Sequence, residues 1–350
     1  MSPFRRPVLG ARAATPAGED PLALSLNESP FSPLPAVRTV VMDALGAANR
    51  YPEFVPDQLR RLIAAHLHVA DEQVIVGSGA TGVALQVLHA VTSPGDRMVF
   101  SAPTFDGYPI LADMARLSAV SVPLDDHGMH DLGAMADAAA DARVVVLCRP
   151  HNPSGTVERG ADVERFLQRV PADTVVLLDE AYIEFAATEH HLDGPALIRR
   201  HPNLVIIRTF SKAYGLAGLR IGYGFSAPDL AGRMWAMQLP FGIPSTSLAA
   251  VAASYAAHDE LRQRIRAITR ERRYLRAQLT TMGVRSTDSH ANFLYLPATD
   301  RPWHHVFDDS GVRVRSYRDG QVRITIGNRA STHAVLAAVD AAHVGTRRGA

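Results

Sequence analysis

Cysteine is nearly absent: of 350 residues only Cys148 carries a thiol. One thiol can form no disulfide within the chain and cannot supply a zinc-thiolate cluster, so neither covalent staples nor that metal chemistry is expected. Net charge is also nearly absent. Lys and Arg total 36 against 35 Asp and Glu, a balance of +1. No half of the chain holds a basic block of the kind that grips nucleic-acid phosphates, so anionic ligands must be met by single arginines. Long apolar runs are missing too. Pro3 and Pro7 with Arg5, Arg6 and Arg12 break the first residues before signal-peptide length, and no later run approaches a membrane span. The pairs His190-His191 and His304-His305 are adjacent in sequence, so their side chains diverge and offer no metal site. These absences lead us to expect a soluble, cytoplasmic protein with no metal, no nucleic acid and no membrane partner.

What is present is apolar bulk. Hydrophobic residues make up 47% of the chain, ample for one large core and a smaller lobe. Residues 1–35, rich in Pro, Ala and Arg, read as an arm, 36–245 as a large domain and 246–350 as a small one. Between about 72 and 225, seven short β-branched runs alternate mostly with helical patterns. They are Gln73 to Val76, Met98 to Phe100, Ala119 to Val122, Val144 to Cys148, Thr174 to Leu178, Asn203 to Arg208 and Ile221 to Phe225. Such runs predict an α/β fold with a mostly parallel seven-stranded sheet covered by helices on both faces. From Ser245 to Met282 the pattern predicts one long amphipathic helix, with the arginines of 262–276 on a wet face beside Glu260 and Glu271. Three further runs, 292–296, 312–315 and 321–326, and a closing helix from about Ser331 predict a small α+β lobe.

In open α/β sheets ligands bind outside the carboxyl ends of the strands, and the residues just after the apolar runs are unusual. The first run ends in Gly77-Ser78-Gly79-Ala80-Thr81-Gly82 before a helix, a phosphate seat by its backbone N–H groups. The next ends in Phe100-Ser101-Ala102-Pro103, without the acid that holds a ribose hydroxyl, so NAD is the poorer ligand. Asp179-Glu180-Ala181-Tyr182 closes one run, and a helix cap is the bland account of its acid. Another run leads into Thr209-Phe210-Ser211-Lys212, a lysine among hydroxyls and small residues, where desolvation would make its amine a nucleophile for carbonyls. Arg149-Pro150-His151-Asn152-Pro153 is a turn that could orient Asn152 at the same edge, with His151 read as a polar turn residue. Together these residues meet the demands of pyridoxal phosphate.

The strings Asn152-Pro153-Ser154-Gly155, Asp179-Glu180-Ala181-Tyr182, Thr209-Phe210-Ser211-Lys212 and Gly218-Leu219-Arg220-Ile221-Gly222 follow one another along the chain. In this the sequence resembles the histidinol-phosphate and aromatic aminotransferase branch of the fold type I enzymes that depend on pyridoxal 5'-phosphate. The likeness runs from Asn27 to about Gly327. It implies that Lys212 carries the cofactor as a Schiff base and shuttles a proton, and that Asp179 pairs with the pyridine nitrogen. It further implies that Asn152 and Tyr182 bond the ring hydroxyl and that Phe105 stacks on the ring. Gly79, Ala80, Thr81, Thr209, Ser211 and Arg220 would seat the phosphate. Tyr51 would reach the phosphate of a neighbouring subunit, making the site a property of a homodimer.

On the substrate side, the resemblance implies that Arg323 binds an α-carboxylate bidentately and that Asn27 belongs to a segment closing over substrate. Phe241 stands near a position where histidinol-phosphate enzymes often carry tyrosine, which favours an apolar, aromatic-accepting pocket. Arg315 stands where a phosphate-contacting arginine occurs in that group, which points the other way. The expected activity is transamination between an amino donor such as glutamate and an aromatic or histidinol-phosphate-like oxo-acid, with small molecules as the partners. The rivals are decarboxylation or other Cα chemistry with the same cofactor and, in a different class, an NAD-linked oxidoreductase using the glycine loop.

Overall fold

The computed structural model describes residues 20–299 and 302–347. Residues 1–19 of the expected arm, with Arg5, Arg6 and Arg12, lie outside the described residues. Seven strands form one sheet: β1 Val74–Ser78, β2 Arg97–Ala102, β3 Ser118–Pro123, β4 Val144–Cys148, β5 Val175–Asp179, β6 Leu204–Thr209 and β7 Ile221–Ser226. Their spatial order is β1-β7-β6-β5-β4-β2-β3. Every pairing is parallel except the two that β7 makes, with β6 and β1. The strands form because their β-branched runs fit a pleated surface buried on both faces. All five residues of β4 and all five of β5 are buried. Two apolar cores, one on each face, pack helices against the sheet.

A second sheet, antiparallel, follows: β8 Phe293–Leu296, β9 Arg315–Ser316 and β10 Val322–Thr325, in the order β8-β10-β9. Its own core gathers Phe293, Ile324, Trp303 and Phe307 with Leu24 of the arm. The closing helix spans Arg329–Arg347.

The single helix expected over 245–282 is two, Ser245–Ala256 and His258–Thr281, parted at Ala257 with φ −93° and ψ 33°. Asp259 and Glu260 lie in the first turn of the second helix, where acidic side chains favour a fresh start at the positive end of the helix dipole. The first helix buries Ser247, Ala250, Val251 and Ser254 and packs against the helices Pro35–Leu45 and Asp57–Leu67 beside the large sheet. The wet-face reading of the arginines fails at Arg272. It falls on the buried stripe with Ile268 and Leu275, its guanidinium donates to the carbonyl of Ala291, and burial lowers its pKa to about 10.

Candidate active site

A cavity of about 270 Å³ opens where the carboxyl ends of the parallel strands meet the arm. Because β7 runs against its neighbours, its amino end reaches the same edge and brings Arg220 there. Ala80, Thr81, Phe105, Asn152, Asp179, Tyr182, Thr209, Ser211, Lys212 and Arg220 all line this one space, with Leu26 and Glu28 of the arm.

One side of the cavity is a cradle of donors. Ala80 and Thr81 stand in the first turn of the helix Gly79–Val91, where backbone N–H groups lack helical partners. Gly79 has φ +73°, and a Cβ there would lie 2.6 Å from Nη2 of Arg220. A Cβ on Gly222 would lie 2.2 Å from the amide nitrogen of Ala80, so this close approach of β7 also requires glycine. Thr209 Oγ1 donates to Ser211 Oγ at 2.9 Å, and Nη1 of Arg220 lies 3.5 Å from the same oxygen. Hydroxyls, free amides and one guanidinium thus converge, a donor set suited to a dianion.

The opposite chemistry lies along β5. Asp179 is buried, its Oδ1 accepting the Ala181 amide at 2.9 Å and its Oδ2 the hydroxyl of Tyr108. Burial pushes its carboxyl pKa up, while the bonds from Tyr108 and Ala181 and the charge of Lys212 pull it down. The Ala181 bond closes a local turn and caps no helix, since the short helix Ile183–Phe185 that follows starts from Tyr182, so the helix-cap account of this acid does not hold. Tyr108 was missed in the sequence. Its position three residues after Phe105, on the helix Gly107–Met114, was the available signal, because a buried tyrosine hydroxyl must find a partner. Its ring meets that of Phe105 edge-on at 5.6 Å.

Lys212 Nζ donates to the carbonyls of Leu26 and Asn27 at 3.1 and 3.2 Å. Burial above all, with the charges of Arg323 and Arg220, lowers its ammonium to about 8, against the opposing pull of Glu28 and Asp179. Asn27 is buried with φ +55°, a left-handed conformation that asparagine tolerates. Its Nδ2 donates to the hydroxyl of Tyr182 at 3.0 Å, and Asn152 Nδ2 lies 3.4 Å from the same oxygen. Arg323 holds Asn152 Oδ1 at 2.5 Å through Nη1 and the Ser25 carbonyl at 2.6 Å through Nη2. Its Nε is buried without a partner, a donor left over at the edge of the cluster.

Three expected residues lie apart. Tyr51 is 82% exposed and packs on Phe241 with ring centroids 4.8 Å apart, and Phe54 meets Phe241 edge-on at 5.2 Å. Neither Tyr51 nor Phe241 lines the cavity in the single chain. Arg315 is bound instead by Asp106, Nη2 to Oδ2 at 2.7 Å. His151 is no solvated turn residue. It is fully buried, its Nδ1 3.0 Å from Ser154 Oγ and its ring 4.4 Å from that of His130, and burial pushes its pKa well below the ordinary histidine value. Arg149 is buried beside it, donating through Nε and Nη2 to the carbonyl of Glu158. Among the described residues there is no cluster of His, Cys, Asp or Glu that could hold a metal ion, and no helix long and apolar enough to cross a membrane.

The sequence pattern of the family "Aminotransferase class I and II" matches residues 19–339. Two curated relatives, the aromatic amino acid aminotransferases of Cutibacterium acnes and Corynebacterium efficiens, are each 42% identical. The first match covers 93% of both chains, the second 93% of this chain and 94% of the relative. Among solved structures, the histidinol-phosphate aminotransferase of Sinorhizobium meliloti in complex with pyridoxal-5'-phosphate superposes with a TM-score of 0.83. It is 28% identical, covering 91% of this chain and 89% of that one.

Proposed function

The chain belongs to the class I and II aminotransferases, and from that premise we propose which oxo-acid it serves and which of its residues act. It is a pyridoxal-phosphate-dependent enzyme of fold type I that moves an amino group between an amino acid and an oxo-acid. We propose that the oxo-acid carries an aromatic side chain, as in phenylpyruvate, with glutamate as donor. The relatives of like length at 42% identity, both named for aromatic amino acids, support this.

The observation that carries the catalytic reading is a half-buried amine and a buried carboxylate, Lys212 and Asp179, lining one cavity beside a cradle of anion donors. These residues fit the cofactor. The space a Cβ on Gly79 would fill is bordered by the Arg220 guanidinium, and Ala80 and Ser211 line the same cavity, so the phosphate would be held there and Asp179 would face the ring nitrogen. Bound there, pyridoxal phosphate supplies an aldehyde that condenses with amines and a cationic ring that takes up electrons from a bond broken at Cα. Lys212, whose amine is brought down to titrate near pH 8, is the group that takes the proton from the substrate Cα and later returns it. Tyr182, held by Asn27 and Asn152, orients and donates through its hydroxyl. Arg323, with Nε unpartnered, receives the α-carboxylate, and the arm residues Leu26 and Asn27 exclude water over the lysine.

The exposed group Tyr51, Phe54 and Phe241 supports a homodimer in which Tyr51 serves the partner's site. We also propose an arm of residues 1–35, a large domain of 36–245 and a small one of 246–350, and a cytoplasmic location. Steady-state rates across a panel of oxo-acids test the substrate. Phenylpyruvate should outrun imidazole-acetol phosphate in kcat/KM, and the reverse order would overturn the aromatic reading.

A further inference from the structure

Asp106 follows Phe105, which lines the cavity, and its carboxylate holds Arg315 at 2.7 Å. Arg315 on β9 pairs directly opposite Arg323 on β10, and residues opposed across an antiparallel pair project to the same face. Two guanidinium groups therefore stand side by side next to the cavity. One keeps a donor unpartnered, while the other is claimed by a carboxylate from the opposite wall. Around that ion pair the surface is aromatic: the Arg315 guanidinium lies 5.8 Å from the ring of Tyr317, which packs edge-on against Tyr295 at 5.7 Å. Asp106 has no evident duty to the local fold. It precedes the helix Gly107–Met114, yet its side chain makes no capping bond there.

We propose that Asp106 is a specificity-determining residue. By neutralising Arg315 it makes the side-chain end of the substrate site favour an uncharged aromatic group over one that ends in an anion, the γ-carboxylate of the glutamate donor included, which binds by displacing Asp106 from Arg315. The inference rests on the reading that Arg323 binds the α-carboxylate. A side-chain carboxylate or phosphate approaching Arg315 must displace Asp106 or face its like charge, whereas an apolar ring meets a neutral ion pair flanked by Tyr317, which is backed by the buried Tyr295. Discrimination of this kind comes from the unfavourable contact built against the wrong ligand. Both partners are solvent-exposed, at 45% and 55% for their side chains, so the preference is a modest one.

The test is Asp106→Asn in the cofactor-loaded enzyme, with tyrosine as the fixed amino donor and phenylpyruvate and 2-oxoglutarate as the two oxo-acids. We expect kcat/KM for 2-oxoglutarate to rise about three- to tenfold, mostly through KM, while that for phenylpyruvate changes less than about twofold. Repeated in an Arg315→Met background, the same substitution should bring no gain. An unchanged ratio of the two oxo-acids, or an equal gain without Arg315, would overturn the proposal. The reading beneath it fails differently: a wild-type enzyme that turns over 2-oxoglutarate but no aromatic oxo-acid refutes the aromatic assignment, whatever Asp106→Asn does. The visible absorbance band of the bound cofactor, unchanged in the variant, verifies that the site is intact.

Discussion

The wall of the cavity built by β4, β5 and β6 and a second wall of surface residues outside its lining, Tyr51, Phe241 and Arg315, differ in how they are held. On the first, Asp179, Thr209 and Ser211 are at most 7% exposed, and each side chain is fixed by a bond to a neighbour two residues away or to another strand end. On the second, Tyr51 is 82% exposed, Phe241 is 43% exposed, and the side chain of Arg315 is held at the surface by an ion pair with Asp106 and the ring of Tyr317. A buried polar group without its partner costs far more than an exposed one. The first wall is therefore rigid and specified by one chain, whereas the second can change at little cost to folding. On the roles we propose, reaction chemistry belongs to the first and choice of partner molecule to the second.

Breaking the first wall should have the largest effects. Lys212→Ala removes the amine that we propose moves the proton at Cα, and turnover should fall about 10⁴-fold or more, measured as product formed at saturating oxo-acid. Full activity in that variant would refute the mechanism. Arg323→Lys keeps the charge but loses the planar fork that spans Asn152 and Ser25 with Nε to spare. A loss of about 10²-fold in kcat/KM is expected for every α-oxo-acid tested. A loss confined to aromatic substrates would instead move Arg323 to the side-chain pocket.

This asymmetry also sets what could be read in the sequence. The strands announced themselves as β-branched runs, and Asp179, Lys212 and Asn152 were legible because each follows such a run by a few residues. The reversed direction of β7 was legible in principle, since the eleven residues between Thr209 and Ile221 leave no room for the helical crossover that parallel strands need. The break at Ala257 was not, because no Gly or Pro marks it. Burial of Arg272 and His151 was hidden for another reason: their partners, the Ala291 carbonyl and Ser154 with His130, depend on tertiary packing and not on local pattern. Tyr108 lay in plain view, but nothing local says that its hydroxyl meets an acid 71 residues away.

The burial that makes the first wall rigid should also appear in its pH dependence. A lysine is charged below its pKa and neutral above it, and Lys212 is lowered from 10.5 to about 8. Below about pH 8 the cofactor-free protein carries a half-buried charge. Between there and 10.5 the unfolded chain binds more protons than the folded one, so stability rises with pH across that window. The rate at which cofactor-free protein gains a visible band on adding pyridoxal phosphate should climb roughly tenfold per pH unit up to about 8 and then level. A climb that continues to 10.5 would mean an ordinary, solvated lysine.

The smallest effect, and the one that most sharpens the contrast between walls, is expected from Tyr51→Phe. Phenylalanine keeps the ring that packs on Phe241 at 4.8 Å, so folding is spared and only a hydroxyl is lost. If that hydroxyl serves a phosphate, the Kd for the cofactor should rise about fivefold, the worth of one hydrogen bond. Whose site it serves is decided by hybrids of a Tyr51→Phe chain with a Lys212→Ala chain. In such a hybrid the intact lysine lies in the Tyr51→Phe chain, and the intact tyrosine lies in its partner. Tyr51 acting across the interface restores wild-type affinity at the lysine-bearing site. Tyr51 acting within its own chain leaves that site weakened fivefold, and the second wall would then belong, like the first, to a single subunit.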